Sequence, residues 1–246
     1  MTYLQLCQRV HLLLGMGSRG NTAKPGTVPT SVSGQVDELA EIVEWVKRAW
    51  IEIQNEQRWG FAVTSGTLVF PTSTTTVTPI TTLTTYAEWL PFVENCGWGQ
   101  SRQYALCYLT ADGQTAEQPI YFEPYGEFRG YRDRATVASG RPLYFTIAPN
   151  RDWIVYPTPD ASYTVRLNYR IKPQVWTSSD GSLDPANYPS TGLGLPDYLQ
   201  DVIAWRAVRS WAETRGDGNM FAVADKRYRE LMVPVKRMYL DHPRLA

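Results

Sequence analysis

The sequence predicts an α+β fold, a helical bundle formed by N- and C-terminal helices with an inserted antiparallel β-domain. Three observations predict it. Apolar residues recur at steps of three and four near both ends of the chain. Between them the period shortens to two, in segments rich in aromatic and β-branched residues. Turn signals such as Asp112-Gly113 and Pro149-Asn150-Arg151-Asp152 separate those segments. The expected division places the helical bundle at 1–58 and 196–246, the antiparallel β-domain at 59–172, and two long loops at 15–35 and 173–195.

The first helix follows from Tyr3, Leu6, Cys7, Val10, Leu13 and Leu14 on one face, with Thr2 and Gln5 spaced as a capping box. After Gly15 a stretch rich in Gly, Pro, Ser and Thr runs to about Gln35, too long for an ordinary connection, and is either disordered or held by something else. The second helix, about Val36 to Asn55, buries Val36, Leu39, Ile42, Val43, Val46, Trp50 and Ile53; acidic residues fill its first turns and Lys47 and Arg48 come later, as the macrodipole favours. A strand is expected from Trp59 to Phe70. The threonine tract from Thr64 to Thr85 then reads as edge strands and a flexible connection, because threonine is β-branched and tolerates a solvated face. Tyr104–Thr110 and Pro119–Glu123 form one hairpin, and Leu143, Phe145 and Ile147 with Trp153–Tyr156 a second. From Tyr163 to Lys172 the odd positions are apolar, while Thr164, Arg166, Asn168, Arg170 and Lys172 make a wet, basic face. Pro196 opens a helix that buries Leu199, Val202, Ile203, Val208, Trp211 and Ala212 and stops at Gly216-Asp217-Gly218. The last helix buries Met220, Phe221, Ala224, Tyr228, Leu231, Met232, Val235 and Tyr239, with Pro234 expected to kink or divide it.

Composition excludes several functions. Lys plus Arg equals Asp plus Glu, 24 against 24, so no global field draws the chain to nucleic acid or to an anionic membrane. Three cysteines (Cys7, Cys96, Cys107) without C-x-x-C spacing, and histidines only at positions 11 and 242, point to neither a zinc site nor a disulfide framework. No segment approaches the roughly 18 apolar residues of a membrane span, and Met1 runs directly into a helical pattern without a signal-peptide profile. Synthesis in the cytoplasm is therefore expected, with no membrane partner.

No motif carries catalysis. Gly15-Met16-Gly17-Ser18-Arg19-Gly20 has the G-x-G-x-x-G spacing, but it follows a helix and precedes a loop, whereas pyrophosphate binding needs a strand before it and a helix N-terminus after it. Tyr121, Phe122, Glu123, Tyr125, Glu127, Phe128, Tyr131 and Asp133 mix rings and carboxylates as a sugar cleft would; the preferred reading is an aromatic strand end and turn, because proximity in sequence says nothing of the carboxylate separation such chemistry needs. The stripe Arg166, Arg170 and Lys172 suits an acidic protein surface or solvent. The two long loops cannot build cores of their own, which fits segments that order against neighbouring subunits. Catalytic, cofactor-binding and metal-ligating residues are expected to be none.

Several strings, in this order, resemble the head-to-tail adaptor (connector) proteins of tailed bacteriophages. They are Tyr3-Leu4-Gln5-Leu6 with the stretch from Ala40 to Asn55, Pro119-Ile120 with Tyr125, Phe128 and Arg129, and Gly140-Arg141-Pro142 with Thr146-Ile147-Ala148-Pro149. Pro157-Thr158-Pro159-Asp160, Tyr163-Thr164-Val165, Leu195-Pro196 and Tyr228-Arg229-Glu230-Leu231-Met232 continue the series. The threonine tract and residues 95–103 match nothing in that pattern. The resemblance implies a structural subunit of a homo-oligomeric, dodecameric ring below the portal protein. Such a ring joins capsid to tail or nozzle protein and lines a channel for the transient passage of double-stranded DNA, in the virion at the head-tail junction. It implies portal contact for Met238, Tyr239, Leu240, His242, Arg244, Leu245 and Ala246. Inter-subunit or tail contact is expected at Arg19, Lys24, Tyr125, Phe128, Arg129, Arg166, Arg170 and Lys172. The competing expectations are a carbohydrate-binding or depolymerising tail component, sensitive to Tyr125 or Tyr131, and another tail-completion factor.

Overall fold

A computed structural model describes residues 1–15, 28–95, 101–134, 139–177, 184–185 and 194–240. Among these the helices are α1 (Tyr3–Leu13), α2 (Asp37–Glu56), α3 (Pro79–Thr82), α4 (Tyr125–Arg134), α5 (Asp201–Arg215) and α6 (Gly218–Tyr239). The chain divides into two compact units, one of Met1–Ala62 with Pro173–Ala246 and one of Val63–Lys172.

In the first unit, α1 begins on the expected capping box. The Thr2 hydroxyl accepts from the Gln5 N–H at 3.3 Å, and the Gln5 side chain accepts from the Thr2 N–H at 2.8 Å. The two bonds satisfy two of the amides that a helix start leaves orphaned. α1, α2 and α5 touch one another, and α6 lies along α5. Gly216 ends α5 in the left-handed region at φ 69°, which a Cβ would oppose, and the Asp217 carboxylate then caps α6 by accepting from the Met220 N–H at 3.0 Å.

An aromatic cluster closes the interior of this unit. Tyr3 stacks on Trp176 at 4.5 Å, Trp50 stacks on both Trp176 and Phe61, and Phe61 stacks on Trp59. Trp176 therefore anchors the start of the 173–195 segment in the core, and Gln174 reinforces it by accepting from the Trp50 indole N–H at 2.9 Å. Several expectations are corrected here. Val36 is 70% exposed because it precedes the first helical turn, and His11 is buried where Leu13 was expected. Residues 59–62 are not strand: Trp59 and Phe61 are buried with the helices around a 3₁₀ turn at Gly60–Ala62. Pro234 does not divide α6, which is one element from Gly218 to Tyr239 with the proline on its exposed side.

The second unit is built on strands β1 (Val63–Phe70), β2 (Thr76–Val77), β3 (Tyr86–Leu90), β4 (Phe92–Asn95), β5 (Ser101–Leu109) and β6 (Gln118–Phe122). The chain continues with β7 (Ser139–Gly140), β8 (Tyr144–Ile147), β9 (Trp153–Tyr156), β10 (Thr158–Pro159) and β11 (Tyr163–Ile171). The main sheet follows the order β1-β11-β5-β6-β8-β9-β2, with β3 also on β11 and β4 also on β5. β1 and β2, the ends of that path, touch each other, so the sheet curls towards a barrel. The threonine tract thus supplies both end strands.

Both hairpins form, but the sheet is mixed rather than purely antiparallel: β8 runs parallel to β6, and β10 to β7. The reason is α4. Residues read as a strand end and turn fold into a helix that returns the chain for a crossover, and a parallel pair needs such a crossover. Inside the curl Phe145 stacks on Trp153 at 4.5 Å, and Trp89 meets both edge-on.

Candidate functional site

Strand register creates the main feature of the β-unit. Phe92 pairs with Tyr104, Tyr104 with Tyr121, Tyr121 with Tyr144, and Tyr144 with Tyr156. Register partners project from the same face. Five aromatic side chains therefore run in a row across β4, β5, β6, β8 and β9, on the face opposite to buried Ala105, Ile120, Phe145 and Val155. All five are partly exposed, Tyr144 to 39%. Phe92 and Tyr104 stack at 5.4 Å, the Arg102 guanidinium lies 5.4 Å from the Tyr121 centroid, and the Tyr121 hydroxyl donates to Glu94. The rings of Phe92 and Tyr104 are thereby turned towards each other, and that of Tyr121 is covered by a cation. A sugar needs free ring faces to stack on, whereas a protein surface is well served by edges and hydroxyls, as in tyrosine-rich interfaces.

α4 borders this row. Its Phe128 is 2% exposed and packs on Ala148 and Ile154, with Tyr125 and Tyr156 against the same cluster. Of the sequence-derived contact residues, Phe128 is thus core, Tyr125 is half-buried at the row's end, and Arg129 is exposed. Among the described residues the carboxylates of that stretch do not form an acid–base pair around a cleft, and the side chains of Tyr131 and Asp133 lie outside the described residues. Glu127 is exposed in the first turn of α4, and the Glu123 backbone is tied to Phe145. Elsewhere in this unit a hollow of about 370 Å³ beside Tyr86, Trp89 and Arg151 holds a single carboxylate, Glu88, paired with Arg170 at 3.4 Å. Glycoside hydrolysis requires two.

The basic stripe of β11 is not free. Arg166 makes a two-pronged bond to Glu117, 2.7 Å from Nε and 2.5 Å from Nη2, which raises its already high pKa. Arg170 pairs with Glu88, and the Lys172 ammonium donates to the Thr84 carbonyl at 3.2 Å. The two arginines are thus matched by carboxylates within their own unit, while Lys172 keeps its charge. β11 is central, with partners on both edges; Glu88 comes from the paired strand β3 and Glu117 from the residue before β6.

In the helical unit the end of α6 is where the expected portal contacts begin. Tyr239 is held by the unit itself, edge-on to Phe61 at 5.1 Å, its hydroxyl donating to the Gly194 carbonyl at 3.1 Å. Met238 is 50% exposed, its sulfur accepting from the Tyr198 hydroxyl. Leu240 is half-buried. Arg19, Lys24, His242, Arg244, Leu245 and Ala246 lie outside the described residues. Further along, α2 and α5 border a groove of about 610 Å³ whose walls include Trp45 and Trp211, both half-buried, with Glu41, Glu44, Arg48 and Arg215 at its rim.

Buried nucleophiles are inactive as such. Burial pushes the Cys7 thiol up to about 12 and the Cys107 thiol up to about 11, so neither is a thiolate near neutral pH. Burial, then the hydrogen bond to Glu56, pushes Tyr228 well above the usual phenol range. Among the described residues no group of three or more His, Cys, Asp or Glu is placed to hold a metal ion, and no helix is long and apolar enough to cross a membrane.

The aromatic row, which joins residues 64 positions apart at its ends (156 − 92), was not visible in sequence. Its members sit one per strand, and only the strand order reveals them as neighbours. Comparison with known proteins adds two facts. The model of the SU10 adaptor protein family matches residues 1–237. No curated protein matches the chain.

Proposed function

Because the chain belongs to the SU10 adaptor protein family, a family of phage head-to-tail adaptors, we propose that it is one subunit of a dodecameric ring below the portal. That ring joins capsid to tail and lines the channel through which double-stranded DNA passes. The observation that carries this reading is the extent of the family match, which runs through both compact units and leaves only residues 238–246 beyond it. The role is structural rather than catalytic. The subunit is made in the host cytoplasm and ends in the virion at the head-tail junction. Balanced charge suits a channel wall, since strong phosphate pairing would hold a polymer that has to move.

Within this reading the helical unit faces the portal through Met238, Leu240 and the residues that follow. The aromatic row of the β-unit, with Tyr125 and Arg129 beside it, meets the neighbouring subunit or the tail or nozzle protein. The long segments 15–35 and 173–195 act as assembly arms, carrying Arg19 and Lys24. Tyr239 supports the placement of the portal contact: its bond to Gly194 and its packing on Phe61 fix the end of α6, the point at which the proposed contact segment begins.

Deleting residues 240–246 tests the portal assignment. The truncated chain retains the Tyr239 anchor and is expected to melt like the full chain. It is also expected to lose attachment to portal rings in co-sedimentation. Normal attachment by a folded truncation would sink the assignment.

A further inference from the structure

Charge is balanced over the chain but segregated within the helical unit. α2 carries six carboxylates against two cations, and α6 carries five cations against two carboxylates. Part of this is satisfied internally: Glu52 pairs with Arg206 at 2.9 Å and Glu56 with Lys236 at 3.3 Å. In the first half of α2, Glu41 pairs with Arg215 at 2.7 Å, while Asp37, Glu38 and Glu44 are exposed, Glu44 on the wall of the Trp45–Trp211 groove and Asp37 and Glu38 in the first turn of the helix, before the residues that line it. Glu44 pairs with Lys47 one helical turn on, at 3.3 Å, a surface contact within one helix that leaves its carboxylate open to a second cation.

α6 packs on α5 through Ala224, Tyr228, Met232 and Val235. Its opposite side presents Val223, Lys226, Glu230, Val233 and Arg237 at steps of three and four, which places them in one stripe. Val223 is 53% and Val233 48% exposed, so the stripe offers two aliphatic side chains to a partner. Along the stripe the two valines are separated by Lys226 and Glu230 and followed by Arg237, so aliphatic contacts alternate with charged ones as on a helix laid against a partner's groove. The groove between α2 and α5 is lined by the half-buried indoles of Trp45 and Trp211, with Glu41 and Glu44 on the α2 side and Arg48 and Arg215 beside them, the Arg48 guanidinium 5.4 Å from the Trp45 centroid. Because the stripe points away from α5, a chain cannot place it in its own groove.

We propose that the outward stripe of α6 docks in the Trp45–Trp211 groove of a second copy of this chain, with Lys226 and Arg237 facing the acidic first half of α2. This rests on the ring reading above and names the contact that would build the ring. The two surfaces are different parts of one chain, so the contact is heterologous and propagates from copy to copy, and it closes when the rotation between copies permits. Segregated charge in a chain of zero net charge then serves self-recognition, raising the encounter rate between copies and fixing their register.

The test is charge exchange in assembled virions, read by imaging the head-tail junction. Glu38→Lys with Glu44→Lys makes the first half of α2 basic; Lys226→Glu with Arg237→Glu makes the stripe acidic. All four positions are exposed, and unchanged melting of the purified full-length variants checks that each folds. Each pair alone is expected to remove the adaptor from particles. All four substitutions in one chain are expected to restore wild-type occupancy, because opposite charges then face each other again. If the wild-type chain forms the ring and the paired variants form it equally well, this interface is overturned and the ring reading survives. A wild-type chain present as a single copy at the junction, or absent from it, overturns both.

Discussion

A thiol placed as Cys7 is placed cannot ionise without putting charge into a packed helical interior. The thiol of Cys107 meets the same barrier inside the sheet. Both folded-state values are raised, to about 12 and about 11, from an ordinary value of 9.0. A group shifted in this direction contributes stability that is fully present below its unfolded value and is lost as pH rises through the window up to the folded one. The unfolded chain releases those protons first, and each thiol then costs about 1.4 kcal/mol per pH unit. The melting temperature is therefore expected to hold up to about pH 9 and to fall above it. Cys7→Ala with Cys107→Ala should flatten the slope between about pH 9 and 11 while lowering the plateau through lost packing. Tyr228 adds its own alkaline loss above the usual phenol range, so the slope should be reduced rather than abolished. An unchanged slope in the double variant would show that the thiols are not the groups being titrated.

The segment after β11 shows how a single side chain defines an element. Trp176 is fully buried against Tyr3 and Trp50, and Gln174 exchanges hydrogen bonds with Trp50 and Gln54, so the start of this segment is tied to the helical core. Trp176→Ala should cost about 3–5 kcal/mol in denaturant unfolding, the range for emptying a large aromatic site. A loss under about 1 kcal/mol would mean that the tryptophan is not a core residue. Composition hid this, because one tryptophan among prolines and polar residues makes no periodic pattern. By contrast α1, the body of α2 and β11 were legible, each burying one face whose spacing the sequence writes out. The alternation of β11, from Tyr163 to Ile171, is the clearest case. α4 was not legible: Gly126 and Gly130 weaken its intrinsic preference, and tertiary packing of Phe128 on Ala148 and Ile154 holds it. The aromatic row failed for a different reason, since register between strands distant in sequence is set by the sheet as a whole. The paired state of the β11 cations was hidden likewise, because Glu117 and Glu88 come from other parts of the chain.

At the scale of the molecule, the chain enters and leaves the β-unit on adjacent strands. Val63 opens β1 and is the register partner of Arg170 near the end of β11, so the two connections start from neighbouring points. Directly opposed residues of an antiparallel pair stand about 4.5–5.5 Å apart. A linker of roughly four to six residues can therefore join Ala62 to Pro173 in place of the whole insert. Each unit also has its own aromatic core, Trp50 with Trp176 in one and Phe145 with Trp153 in the other. Residues 1–62 linked to 173–246 should consequently give a helical circular dichroism spectrum and a cooperative thermal transition. Residues 63–172 alone should give a β spectrum with its own transition. Cooperative melting of both pieces would establish the adaptor as two independent folding units, one inserted in the other. A non-cooperative, dye-binding product from either piece would show that its core is incomplete without the other. The same pieces then divide the assembly question: the shortened helical chain retains the α6 stripe and the groove, and should still form the copy-to-copy contact, whereas the isolated β-unit should not.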